Sequence, residues 1–294
     1  MSRSAVWGVY ALLVVVWSST WVSIKIGLED SPALLGAGIR FALAGLVLLA
    51  FTAARRRPLR TDPVLAAVLA AFPFALTYAL IYWGEQYIPS GLAAVLFGVL
   101  PLYVALLGAA VLPDQPLRAP VIIGVLIAIA GLALAFAESL SLGHEDLALV
   151  GAAALAVAPM GAAIGNLSIK LRAEELDAVV LNGWAMLGGS VLLLIASAVG
   201  ESWSEFAWTG ESIGSIAYLA LVGSAVPFVA LTVLLRHITA QAMSFLAMLL
   251  PFGALAFGAV LYDEAITVRA LGGAALVAAG LLMAQAPRRE LAAP

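Results

Sequence analysis

Ten long apolar runs, separated by short polar or charged connections, account for most of the chain. They lie at about 5–27, 33–54, 63–83, 90–112, 119–137, 147–169, 177–199, 212–235, 240–261 and 267–286. Each is close to the roughly 20 residues that an α-helix needs to cross a bilayer. Barrel strands would instead be about ten residues long with alternating polarity. A backbone in hydrocarbon must satisfy its own hydrogen bonds, so these lengths predict helices. The predicted fold class is an all-α polytopic membrane protein with ten transmembrane helices. The first run has a single arginine before it, exceeds a signal-peptide apolar region, and carries Trp17-Ser-Ser-Thr-Trp21 rather than a small-residue cleavage site, which predicts a retained helix.

Composition agrees with this reading: 64% of the 294 residues are hydrophobic and 11% charged, with a mean hydropathy of +1.10. Soluble domains average about 25% charged residues. A net charge of −3 without a basic tract argues against a nucleic-acid partner. The absence of cysteine removes disulfides, thiolate metal sites and thiol nucleophiles. Of fourteen basic residues, eleven fall in the termini and even-numbered connections: Arg3, Arg55, Arg56, Arg57, Arg60, Arg118, Lys170, Arg172, Arg236, Arg288 and Arg289. Lys25 and Arg269 lie on the opposite face and Arg40 lies within a span. The bias predicts cytoplasmic termini in a prokaryotic plasma (inner) membrane.

The two halves repeat weakly. Ser23-Ile24-Lys25 recurs as Ser168-Ile169-Lys170, and Leu100-Pro101 as Leu250-Pro251. Gly108 is answered by Gly258, Val111-Leu112 by Val260-Leu261, Asp114 by Glu264, and Gly124 and Gly131 by Gly273 and Gly280. Five helices per copy is an odd number, so the repeats, 1–140 and 141–294, are expected to be inverted relative to each other, with a site near the midplane.

Ionisable groups within spans are costly and tend to face a cavity or a partner. Arg40 is expected either to anchor a substrate carboxylate through its planar fork, or to pair with Glu85 or snorkel to the interface. Phe74, Tyr78, Tyr82 and Glu85 fall on one helical face; they read as a substrate-pathway stripe or an aromatic interface belt. Trp17, Trp21 and Lys25 repeat the pattern in helix one, with Lys25 in a snorkelling position. Asn166 with Lys170, Asn182 with Met186, and Ser244 with Met248 form sparser faces, and Trp184 and Tyr103 complete the candidate pathway residues. Pro101 and Pro251 are expected to bend helices four and nine. Helices five and ten carry Gly and Ala at helical spacing and almost no polar side chains. They are expected to lie outside the pathway, packed together or against another subunit in a homo-oligomer. The remaining helices, one to four and six to nine, would line the cavity.

The two histidines, His144 and His237, lie in connections, so the intramembrane His sets of zinc and rhomboid-type proteases are missing, as is a phosphate-binding G-x-x-x-x-G-K-[ST]. No enzyme, cofactor or metal site is therefore expected. The alternatives to a carrier are a channel, a lipid-translocating protein or an assembly protein.

Trp17 through Lys25, Ser31-Pro32, Arg40-Phe41, the Pro101 and Pro251 helices, and Glu264-Ala-Ile-Thr267 leading to Gly273 together resemble the drug/metabolite transporter superfamily in its EamA-type branch. The likeness spans essentially the whole chain and extends to the aromatic amino-acid exporters of that branch. It implies ten helices in two five-helix repeats and export of small metabolites, amino acids including aromatic ones or other small drugs. Asp114 stands where the first repeat of the family usually has Glu. Trp184 stands near where a second-repeat counterpart of Arg40 would lie.

Overall fold

The computed structural model describes residues 1–111, 118–135, 146–253 and 268–284. The described residues are helical apart from their connections. The helices are α1 (Arg3–Asp30), α2 (Ala33–Ala54), α3 (Pro63–Glu85), α4 (Ser90–Val111), α5 (Ala119–Ala135), α6 (Asp146–Arg172), α7 (Ala178–Gly200), α8 (Gly210–Leu234), α9 (Ala240–Gly253) and α10 (Val268–Ala284). Seven of them, α1 to α4 and α6 to α8, are long and apolar enough to cross a membrane; α5, α9 and α10 are shorter apolar helices. The chain is a multi-pass membrane protein. Asp114, Gly258, Val260-Leu261, Glu264, His144, Arg288 and Arg289 lie outside the described residues.

Short-range chemistry sets the helix ends. Asp62 accepts from the Val64 and Leu65 amides at the start of α3, and Asp177 accepts from those of Val179 and Val180 at the start of α7. The helix dipole favours such acids at N-termini. Arg172 donates to Asp62 at 2.7 Å, so α6 and α3 are tied at that end. The backbone bond from Leu65, followed by the Arg172 charge, holds the Asp62 carboxyl below its ordinary range. Pro32 offers no side-chain cap to α2. Glu201, reaching over from the end of α7, accepts from Leu34 and Leu35 at 2.8 and 3.0 Å instead.

Three helices depart from α geometry within the membrane-length segments. The stretch Ala70–Leu76 of α3, containing Pro73, and the stretch Leu221–Ala225 of α8 are π-helical. The wider turn leaves carbonyls free for other donors. Pro101 has no amide to give, and α4 is interrupted just before it, at Gly98 and Val99. The Gly98 amide there tightens onto Val95 at 2.9 Å, and in α9 the Met248 amide does the same to Phe245 at 3.1 Å. Both donors sit three residues before a proline, Pro101 or Pro251.

Helix α2 packs along α7, α3 against α6 and α7, α1 against α8, and α5 against α10. At the last crossing the two backbones touch. A Cβ on Gly131 would fall 2.7 Å from the carbonyl oxygen of Gly273, and Gly124 and Gly280 meet in the same way. The small-residue faces of α5 and α10 are thus spent on each other. Their outer faces, with Ile123, Leu126, Leu271 and Leu282, are exposed.

Candidate substrate cavity

A cavity of about 90 Å³ lies inside the bundle, reaching from Ile24 and Ile81 at one end to Ile169, Asn182 and Leu231 at the other. On α3 the lining runs from Leu69 to Ile81, about 18 Å at 1.5 Å per residue. The volume is well below the roughly 300–1,000 Å³ of a typical ligand pocket and has room for several waters.

Aromatic rings build the wall. Phe228 sits 5.3 Å from Trp17 and 4.9 Å from Phe74 between ring centroids, and Trp21 sits 5.7 Å from Phe97. These edge-on and tilted arrangements suit the ring quadrupoles. The polar lining consists of Thr20, Thr77, Asn166, Asn182, Tyr78 and the two indoles, and no lining side chain carries a formal charge. Asn182 donates to Thr232 and to the Ala178 carbonyl. The Trp21 indole N–H is buried without a partner. An unpaired donor in such a wall costs about 1–3 kcal/mol and offers a bond to an incoming acceptor.

Trp17, Tyr78 and Asn166 line this cavity, as the sequence suggested. Arg40 does not. Fully buried behind Tyr78, it donates from Nε to Ser224 Oγ at 2.8 Å, from Nη1 to the Tyr82 hydroxyl at 3.3 Å and from Nη2 to the Gly223 carbonyl at 3.3 Å. Its guanidinium lies 4.8 Å from the Tyr78 ring centre and 5.2 Å from that of Phe41. The Gly223 carbonyl, within the π segment, also accepts from the Trp17 indole at 3.2 Å. Arg40 therefore ties α2 and α3 to the widened turn of α8, and α2 contributes no lining residue because Phe41 and Arg40 stand behind Phe74 and Tyr78. Among the described residues Arg40 has no carboxylate within 4.0 Å, and it is sealed from solvent, a placement that matches neither a snorkelling side chain nor a close ion pair with Glu85.

Tyr82 belongs to that cluster rather than to the wall, since it lies a turn beyond Tyr78 where the cavity has ended. Glu85, a further turn on, is fully buried. Lys25 does not snorkel; its ammonium donates to the Glu85 and Ile88 carbonyls at 2.7 and 3.5 Å, capping the end of α3. Lys170 does the same at the end of α8, donating to Leu235 and Ile238 at 2.8 and 3.1 Å. Tyr103 is spent on the Ala156 carbonyl and Ser244 on that of Gln241; neither lines the cavity. Trp184 is also displaced from it. Its indole donates to the Leu59 carbonyl at 2.8 Å on an exposed face, clamping the connection before α3.

Sequence reasoning passed over Phe97 and Phe228 as wall residues. Each is a phenylalanine within a largely apolar stretch of its helix, and nothing in the sequence distinguishes it from packing. Pro227, two residues after the π segment of α8, was the available hint.

The model of the EamA-like transporter family matches the chain twice, over residues 5–137 and 149–285. Curated relatives include a probable amino-acid metabolite efflux pump of Escherichia coli, 28% identical and aligned over 93% of both chains. Its counterpart in Salmonella typhimurium is 30% identical over 92% of this chain and 91% of its own. The uncharacterized transporter YoaV of Bacillus subtilis is 27% identical over 92% and 93%. A solved crystal structure superposes over 97% of both chains with a TM-score of 0.77 at 19% identity, a likeness of fold.

Proposed function

The chain belongs to the EamA-like transporter family, and from that premise we propose that it is a secondary carrier exporting small amphipathic metabolites, chiefly amino acids including aromatic ones, by alternating access. The observation that carries this reading is the aromatic cavity. It lies within the bundle, is walled by helices from both halves of the chain, and among the described residues is furnished with unpaired or neutral polar groups instead of charges. Rings suit an aromatic or aliphatic side chain by stacking and burial, while Asn166, Thr77 and the Trp21 N–H suit the polar end. The probable amino-acid metabolite efflux pumps among the relatives support the same substrate class.

In this reading the protein has ten spans in two inverted five-helix repeats, 1–140 and 141–294, with both termini cytoplasmic. The two matches to the family model support the repeat, and so do the paired lysine caps, the paired π segments and the paired tightened turns before Pro101 and Pro251. The bends and π segments are the joints about which α3, α4, α8 and α9 reshape the cavity, and the exposed sides of α5 and α10 meet lipid or a second subunit. Alternation exposes the cavity first to the cytoplasm and then beyond the Arg40 cluster. Uptake of labelled amino acids into proteoliposomes tests the reading. A carrier gives saturable flux that unlabelled competitors reduce, with Tyr78→Ala eroding the preference for aromatic substrates. Flux that rises linearly with concentration, or no flux for any amino acid, would refute it.

A further inference from the structure

The end of α3 holds a feature that its counterpart lacks. Lys25 and Lys170 grip the ends of α3 and α8 through matching carbonyls, Glu85 with Ile88 and Leu235 with Ile238, each acceptor lying 150 positions from its equivalent. The grip uses only main-chain oxygens, and at the second site the residue is leucine. The Glu85 carboxyl is therefore unnecessary for the cap. It is nonetheless fully buried, and neither of its oxygens has a hydrogen-bond partner. Burying a charged carboxylate in that condition is prohibitive unless it is paired.

The groups around it are few. From α1 comes Lys25, committed to carbonyls; from α2 comes Arg40, committed to Ser224, Tyr82 and Gly223. Its own helix adds Tyr82, α6 presents Gly151 and Leu155 against the adjacent Gly84, and the first part of α4, residues 90–97, has no titratable side chain. A metal cation would need several oxygen ligands, yet the carbonyls at hand already hold an ammonium that would repel it. A proton needs only the carboxyl.

We propose that Glu85 is a proton-binding site of the transport cycle, with Lys25 as the switch that reads its occupancy. The proposal rests on the carrier reading above. In the state described here the proton stays on Glu85, the carboxyl is neutral and Lys25 remains on the helix end. When the cavity opens to the cytoplasm, the carboxyl O–H breaks, its electron pair stays on the carboxylate and the proton passes through the cavity to cytoplasmic water. Lys25 Nζ then transfers from the α3 carbonyls to the new carboxylate of the same residue, releasing the end of α3. Re-protonation restores the cap. Because the returning proton comes from the outer side, substrate export is exchanged for proton entry, and the second repeat, with Leu235 in place of Glu85, keeps its Lys170 cap without a carboxyl to titrate.

The test uses the full-length protein in proteoliposomes with labelled phenylalanine, and infrared difference spectra of the same protein. One proton per substrate lets a one-unit pH gradient sustain an accumulation ratio of up to about tenfold. Wild-type protein should accumulate substrate when the gradient is imposed and only equilibrate without it. Glu85→Gln and Glu85→Leu, the latter copying the second repeat, should retain counterflow exchange while losing gradient-driven accumulation. The spectra, recorded across a pH step without substrate, should show the carbonyl stretch of a protonated carboxyl in wild type and lose it in Glu85→Gln. Gradient-independent accumulation by wild type, or full accumulation by either variant, would overturn the proposal. So would a carboxyl band that survives Glu85→Gln. A band lost in Glu85→Gln together with no uptake of phenylalanine would support the proton site and overturn only the substrate reading.

Discussion

Replacing Arg40 with Ala separates two roles that the sequence left open. The guanidinium makes three hydrogen bonds, to Ser224 at 2.8 Å and to Tyr82 and the Gly223 carbonyl at 3.3 Å each. Bonds involving a charged group contribute about 1.5–3 kcal/mol, and the two longer ones belong at the weak end of that range. Allowing for non-additivity within one cluster, Arg40→Ala should destabilise the protein by about 3–5 kcal/mol, as expected when one member of a buried polar set is deleted. Lysine keeps the charge but lacks the fork, so Arg40→Lys should lose nearly as much. A double-mutant cycle with Ser224→Ala should return a coupling of about 1.5–3 kcal/mol. The assay is equilibrium unfolding in mixed micelles, run beside transport of an amino acid and of its carboxamide. Unchanged stability in Arg40→Ala, with a selective loss of affinity for the carboxylate substrate, would refute the argument and restore Arg40 as an anchor.

Other consequences follow from the packing and the caps. Gly131→Leu should destabilise by at least the roughly 1–3 kcal/mol of an overpacked core, because its side chain meets the Gly273 backbone, whereas Gly210→Ala enters open space and should leave the melting temperature unchanged. Asp62 is held below its ordinary range by the α3 amides and Arg172. Its stabilisation should be complete above the unfolded carboxylate range and vanish as pH falls through the lower folded value. The hydrogen-exchange protection of Val64 and Leu65, relative to the intrinsic rate, should accordingly fall only below the ordinary carboxylate range, and Asp62→Asn should remove that acid step. For topology, single cysteines can be introduced into the cysteine-free chain. An impermeant thiol reagent on intact cells should label Ser202→Cys and not Ser2→Cys, and the reverse pattern would invert the orientation.

The helices were legible because hydrocarbon enforces one signal, continuous apolarity at membrane length. The runs at 33–54 and 177–199 match the observed helices to within a residue. Tyr78, Trp17 and Asn166 could be read for a related reason, since a polar or amphipathic group in mid-span needs somewhere to go. The π segments at 70–76 and 221–225 were not legible, because only tertiary partners such as Trp17 and Arg40 on the Gly223 carbonyl reveal where the widened turn is held. The same limit applied to Lys25. Position alone made it an interface lysine, but its ammonium found two carbonyls at the end of α3. Trp184 was misplaced because a single tryptophan in a helix does not disclose which way it faces. Glu201 lies in a connection with nothing in the sequence to mark it, yet it supplies the cap that Pro32 cannot. The glycines of α5 and α10 could be read as close-packing positions because small residues permit backbone approach, and Gly124 meets Gly280 and Gly131 meets Gly273 in the structure.

The central claim is that the aromatic cavity is where substrate binds. Asn166→Cys and Thr77→Cys place single thiols on its wall, and Trp184→Cys places one on the outer face that the cavity does not reach. Alkylation by N-ethylmaleimide should be measured for each variant in proteoliposomes, with and without a saturating concentration of an amino acid that the wild type carries. The account predicts slowed alkylation at positions 166 and 77 and an unchanged rate at 184. Protection at 184 with none at 166 or 77 would place the substrate elsewhere and contradict it.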